Sequence, residues 1–212
     1  QDYDLDYCYA TDQGDRYRIN VHMQRLGVSS SYRIVDRDVS SFADLGFKRT
    51  DILDKLTTYH QGMILLTGPA GCGKSTTMNA FIDLINRSRH EHIITVEDPI
   101  EFVHVPKKCN ITQREIGDHT RSFANALRAS LREDPDIIVI GELRDLETIE
   151  MAIRASETGH LVIGTLHTGS AASTMDRILD VFPPSQQGQI RSMTAENLKG
   201  VICQQLLPAK GG

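Results

Sequence analysis

Residues 63–85 read MILLTGPAGCGKSTTMNAFIDLI, and the fold turns on this stretch. MILLT (63–67) is an apolar run too short for a helix and closed by glycine, so it reads as a buried strand. GPAGCGKS (68–75) fits the pattern G-x-x-x-x-G-K-[ST] in full. Gly68, Gly71 and Gly73 let the backbone turn with its N–H groups pointing inward. STTMNAFIDLINRS (75–88) puts Met78, Phe81, Ile82 and Ile85 on one face, which is a helix pattern. A helix start adds partial positive charge to such a loop. In this context Lys74 meets the β- and γ-phosphates of a nucleotide, and the Ser75 hydroxyl ligates Mg²⁺. Pro69, Ala70, Cys72 and Thr76 complete the cradle. A chance glycine-rich turn is the bland alternative, and the correct strand and helix flanks weigh against it.

Downstream, strands and helices alternate. HIITV (92–96), DIIVI (136–140) and LVIGTL (161–166) read as strands. SFANALRASLRED (122–134), LETIEMAIRASE (146–157) and SAASTMDRILDVF (170–182) read as helices, and the segment from Ser185 to about Leu207 as mostly helical. This alternation predicts a parallel sheet with helices packed on it. The first fifty residues differ. RYRINVHM (16–23) and SSYRIVDR (30–37) alternate like two strands paired around QRLG, and residues 1–10 alternate as well. They predict the end of a separate, mostly antiparallel domain, joined by SSFADLGFKRT (40–50).

TVEDPIEFVH (95–104) gathers Glu97, Asp98 and Glu101 within five residues. Like charges at this spacing repel, and a bound Mg²⁺ beside them offsets the repulsion. One of the three is then placed to deprotonate an attacking water, and spacing alone leaves open which. DIIVIGE (136–142) is an apolar strand ending in an acid, so Glu142 is a candidate for holding Mg²⁺ from the strand beside the phosphate loop. His160 and His167 bracket another strand. A strand-end histidine can hydrogen-bond a phosphate. With the two histidines seven positions apart and no cysteine at ligand spacing, zinc is not indicated.

The chain of 212 residues carries 23 basic and 28 acidic residues, a net charge of −5. That balance argues against broad nucleic-acid binding. Its apolar runs are too short to span a bilayer, and no basic start followed by an apolar stretch marks a signal peptide. Cys8, Cys72, Cys109 and Cys203 show neither metal nor redox spacing.

GPAGCGKST, TVEDPIEFVH, LREDPDIIVIGELRD and TGHLVIGTLHT follow one another in this order. Together they resemble the Walker A, Asp box, Walker B and His box of the type II/type IV secretion ATPase superfamily. The resemblance covers nearly the whole chain. It implies an α/β fold with a RecA-like phosphate-loop core over residues 51–212, truncated at its C-terminal end. Residues 41–50 become a linker, and residues 1–40 the C-terminal part of a PAS-like α+β N-terminal domain. Within the superfamily ALRASLREDPD, GELRDLETIEMAIRASETGHL and DRILDVFPPSQQGQIRSM are similar to the PilT-like type IV pilus retraction branch. The PilB-like and GspE-like assembly and secretion branch carries a Cys-x-x-Cys pair after the His box, and none occurs here.

The resemblance also implies roles. Glu101 matches the glutamate that activates water, and Glu97 and Asp98 match acids of the Mg²⁺ shell or of the loop's structure. Glu142 matches the Walker B glutamate. His160 and His167 match the His box, His160 as a nucleotide contact and His167 as a catalytic group. RYRIN and SYRIVD resemble segments whose arginines reach the nucleotide, pointing to Arg18 and Arg33. The implied activity is Mg²⁺-dependent ATP hydrolysis driving pilus retraction (twitching motility) in a homohexamer. That ring would be cytoplasmic, have no transmembrane segment, and attach peripherally to the inner membrane through a platform protein of the pilus machine. Two alternatives are a PilB/GspE-like assembly or secretion ATPase and a nucleic-acid-dependent RecA-type ATPase.

Overall fold

The computed structural model describes residues 4–12, 15–35 and 39–207. Strands β1 (Asp4–Ala10), β2 (Arg16–Gln24) and β3 (Gly27–Val35) form an antiparallel sheet in the order β1-β2-β3. A two-residue turn, Arg25-Leu26, joins β2 to β3. The hairpin predicted around QRLG is therefore present, and Asp36 and Arg37 at the end of its second expected strand lie outside the described residues. Alternation sorts the faces. Tyr7, Ile19 and Tyr32 stand side by side in register on one face; Cys8, Arg18 and Arg33 stand side by side on the other.

The second sheet has six strands. Along the chain come α1 (Thr50–Leu56), β4 (Gly62–Thr67), α2 (Lys74–Ser88), β5 (His92–Glu97), β6 (Asn110–Glu115), α3 (Phe123–Ser130) and β7 (Ile137–Ile140). α4 (Leu146–Glu157), β8 (Leu161–Leu166), α5 (Ala171–Asp180), α6 (Pro184–Asn197) and β9 (Leu198–Cys203) follow. The order is β6-β5-β7-β8-β4-β9, parallel throughout. Every residue of β4, β7 and β8 is buried, as expected for a parallel sheet covered on both faces. Ile64 and Leu66 pack with Met78, Phe81, Ile82 and Ile85 of α2 on one face. Met63 and Leu65 pack with Leu127, Ile149, Ile153 and Ile178 on the other. Burying a side chain of this size contributes about 1.5–3 kcal/mol, so these two layers fix the sheet.

Several local expectations need correction. Residues 198–203 form a strand, not helix: Leu198, Val201 and Ile202 mimic a helical period, yet Gly200 and the β-branched Val201-Ile202 pair favour extended backbone. There β9 pairs with β4 along the sheet edge. β6 and α1 were not foreseen. β6 is polar (NITQRE) and lies at the opposite edge, so it lacks the apolar signature of a buried strand. α3 stops at Ser130 rather than Asp134; Asp134 sits at φ 51, outside the helical region. Segment 41–50 is also more than a bridge. Phe42 is buried, its ring 4.7 Å from that of Phe81 in the core.

Candidate active site

The loop between β4 and α2 is shaped by glycine. Gly68 has φ +147, and a Cβ there would lie 2.2 Å from the Gln204 carbonyl oxygen and 2.6 Å from the Cys72 sulfur. Gly73, at φ +93, is the N-cap of α2. Among the described residues no side chain caps this helix, so its first N–H groups are of the kind that take an anion. Lys74 is buried and bends back over the loop, where its ammonium donates to the carbonyls of Gly68 (2.9 Å) and Pro69 (3.0 Å). Cys72 is buried under the loop beside Gly68.

The C-terminal ends of β4, β5, β7 and β8 meet in a cleft of about 270 Å³. Its walls include Ala70, Gly71, Lys74, Ser75, Glu97, Asp98, Glu101, Glu142 and His167, with Arg18 from the small sheet. A smaller neighbouring cleft of about 120 Å³ shares Arg18 and Glu101 and adds Arg33, Thr76 and Asn79. One expectation about position is corrected. Glu142 does not come from the strand next to the phosphate loop, because β8 lies between β4 and β7. The neighbouring strand instead brings Thr165 and His167.

His167 links the two sides of the cleft. Its Nδ1 is 3.4 Å from the Lys74 ammonium and its Nε2 is 3.1 Å from Glu142 Oε1. An ammonium only donates, so Nδ1 accepts, which puts the neutral ring's proton on Nε2, the nitrogen nearest Glu142. The same carboxylate oxygen is 2.5 Å from Arg144 Nε.

The acid loop after β5 has two kinds of carboxylate. Glu97 is 5% exposed, and its Oε1 accepts from the Thr95 hydroxyl at 2.6 Å and the Gln113 amide at 3.1 Å. Burial pushes Glu97 above the ordinary carboxylate range; those two hydrogen bonds pull the other way, and the nearby Glu101 and Glu115 charges add to the rise. Glu101 is more open and forms an ion pair with Arg18 at 3.6 Å. The Cys8 thiol, pushed above its usual range by burial, stands 3.5 Å from the Ile100 carbonyl and donates to it. The small sheet thus touches the loop at two successive residues, Ile100 and Glu101. Arg18 and Arg33 are direct cross-strand partners on the face turned to the core.

His160 does not join this cleft. It sits at the N-terminal end of β8, and its Nδ1 donates to the Ala155 carbonyl at 3.0 Å. The whole of β8 separates it from His167, about 20 Å at strand rise. Within this chain His160 is a helix-end hydrogen-bonder, which corrects its expected place at the nucleotide. Residues that sequence reasoning missed are Arg144, Thr165, Asn79, Gln113 and Glu115. Arg144 was visible as the basic residue two places after Glu142; the others carried no motif. Among the described residues, no three His, Cys, Asp or Glu side chains are close enough to hold a metal ion on their own. Ser75, Asp98 and Glu142, which line the cleft, offer only oxygen donors, the kind Mg²⁺ takes alongside waters and phosphates.

A six-stranded parallel sheet, a glycine-rich loop opening a helix, and acids at the C-terminal ends of β5 and β7 define the phosphate-loop α/β class of RecA-like type. The model of the family "Type II/IV secretion system protein" matches residues 16–210, and the chain belongs to this family. It is 46% identical over 209 residues to the type IV pilus retraction ATPase PilT of Pseudomonas aeruginosa, which covers 99% of this chain and 60% of that protein. It is 48% identical over 212 residues to a twitching motility protein of Neisseria gonorrhoeae, covering 100% of this chain and 56% of that one. A crystal structure of the pilus retraction motor PilT with bound ADP superposes at a TM-score of 0.94, with 48% identity over 100% of this chain and 61% of that chain. The chain thus spans a little over half the length of the curated relatives it matches.

Proposed function

We propose that this chain is the ATP-hydrolysing part of a motor that retracts type IV pili. The observation that carries the reading is the single cleft in which Lys74, Ser75, Glu101, Glu142, His167 and Arg18 converge. The likeness to a pilus retraction ATPase at 46% identity supports the direction of the motor.

The roles follow from position. The loop N–H groups and Lys74 bind the β- and γ-phosphates. Ser75 and Glu142 are the residues that would hold Mg²⁺, with Asp98 at the edge of its shell; bound Mg²⁺ supplies charge neutralisation on the phosphate oxygens. Glu97, buried and already hydrogen-bonded, serves the loop's architecture. Glu101 accepts the proton of the attacking water. His167, protonated on Nε2, donates toward the γ-phosphate or Glu142. Arg18, with Arg33 beside it, faces the charge that develops on the transferred phosphoryl group.

The same reading divides the chain into residues 1–40, the end of a PAS-like domain, a connection at 41–50, and a core at 51–212. It assembles six copies in a ring, at the cytoplasmic side of the inner membrane, against a platform protein. No described helix is long and apolar enough to cross a membrane.

The experiment is Mg²⁺-ATP turnover of the full chain against protein concentration, with Glu101→Gln as the blank. Specific activity that rises with concentration, and falls at least a hundredfold in the variant while ATP still binds, is expected. Turnover near wild type in Glu101→Gln overturns Glu101 as the base. Pilus length in a strain lacking the gene distinguishes retraction from assembly: retained, excess pili for the first, none for the second.

A further inference from the structure

The polar edge strand β6 has a role that its sequence does not announce. It runs parallel to β5, with Gln113 in register with Thr95 and Glu115 with Glu97. Alternation puts all four side chains on one face of the sheet, at the end where the acid loop begins. From there β6 grips the loop. The Gln113 amide nitrogen donates to the Phe102 carbonyl at 2.9 Å and to Glu97 Oε1 at 3.1 Å. Its amide oxygen accepts from the His104 backbone N–H at 2.8 Å. Glu115 Oε2 accepts from the Ile100 backbone N–H at 2.8 Å.

These partners leave no ambiguity about the amide. A carbonyl and a carboxylate require the NH₂ group, and a backbone N–H requires the oxygen. Both donors and the acceptor of Gln113 are in use. The residues on either side of Glu101 are thus held by side chains of one neighbouring strand, Ile100 through its N–H and Phe102 through its C=O. Glu101 itself is left free to face the cleft and Arg18.

We infer that Gln113 is a positioning residue for Glu101, with Glu115 as a second clamp on the same loop. The inference rests on the reading of Glu101 as the group that takes the water's proton. A base must stand within hydrogen-bond reach of its water, and a displacement of about 1 Å can cost a hundredfold in rate. A loop that carries its base between two tethered peptide groups meets that demand without enclosing the base.

The test is a double-mutant cycle in the full chain, reading kcat, KM and affinity for a non-hydrolysable ATP analogue. Gln113→Met keeps the volume and removes all three hydrogen bonds. It is expected to lower kcat about ten- to a hundredfold, with KM and analogue affinity within about twofold. In the Glu101→Gln background the same substitution is expected to change residual turnover by no more than about twofold, because a misplaced base no longer matters. An equal loss in both backgrounds means a structural role and overturns the inference, as does an unchanged kcat in the parent. Wild-type turnover in Glu101→Gln alone removes the underlying reading instead, and the inference falls with it. If Gln113→Met does not fold, Glu115→Gln enters the same cycle. There a several-fold loss is expected in the parent and none in the Glu101→Gln background.

Discussion

The two sheets of this molecule are built to different standards. The six-stranded sheet is covered on both faces, and Ile64, Leu65, Leu66, Ile138, Val139 and Ile163 are fully buried. The three-stranded sheet leaves much of one apolar face exposed: Tyr9 at 53%, Tyr32 at 65% and Ile34 at 73%. Its other face meets the core through polar contacts such as Arg18 with Glu101 and Cys8 with the Ile100 carbonyl. A half-exposed ion pair of this kind is worth little to stability. The difference teaches where each sheet's information lies. The large sheet fixes the positions of the cleft residues by burial. The small one contributes chiefly charge, delivered onto the loop that carries Glu101.

The largest expected effect breaks the large sheet's side of the contrast. Lys74→Ala removes the buried ammonium that spans the loop. Affinity for ATP should fall roughly a thousandfold, as when one partner of a buried charge pair is lost. Equilibrium binding of a fluorescent ATP analogue measures it, and unchanged affinity would sink the phosphate-loop assignment. The hydrophobic layers are untouched, so thermal stability without nucleotide should stay close to wild type.

The next effect tests the small sheet. Arg18→Ala should lower turnover about a hundredfold, in the range of lost transition-state donors, with ATP affinity nearly retained. Arg33→Ala should cost less, about tenfold. Arg33 lines the smaller cleft and is absent from the larger one's walls. If both variants turn over ATP at the parental rate, the small sheet supplies no charge to the reaction and its arginines only solvate a surface.

The same contrast explains what could be read from the sequence. MILLT–GPAGCGKS–helix carries apolar run, glycine spacing and amphipathic period together, so the loop and its flanking elements were legible to within a residue. β7 and β8 were legible for the same reason. Residues 198–203 were not, because Leu198, Val201 and Ile202 fit two periods and only pairing with β4 decides between them. Strand order was also invisible: nothing local to DIIVIGE says that β8 will lie between it and β4. Gln113 and Glu115 were hidden more deeply. Their partners on the loop are backbone groups nine to fifteen residues away, and a backbone partner leaves no mark on composition or spacing. His160 and His167 had equal standing as sequence and unequal standing in space, because a strand's two ends face opposite edges of the sheet.

The smallest effect concerns how the acid loop is fastened to the large sheet's layer, and pH reads it. His104 is 5% exposed, its Nε2 donates to Asn79 Oδ1 on α2 at 3.1 Å, and its ring stands 4.8 Å from that of Phe102. Burial drives its pKa from 6.5 down to about 4; Asp83 nearby opposes that shift and Lys107 adds to it. The folded chain therefore keeps His104 neutral where the unfolded chain protonates it. The unfolded state binds more protons between pH 6.5 and 4, so this group's contribution to stability is present above pH 6.5 and is lost as pH falls toward 4. At about 1.4 kcal/mol per unit the loss is on the order of 3 kcal/mol. Glu97 acts in the opposite sense. Its raised pKa makes the folded state hold a proton longer, so its share of stability is lost as pH rises above the ordinary carboxylate range. The two slopes oppose each other in part of the window. His104→Gln retains a donor for Asn79 and removes the titration. Its melting temperature should therefore decline less between pH 6.5 and 4 than the parent's, and identical declines would mean that His104 titrates alike in the folded and the unfolded chain.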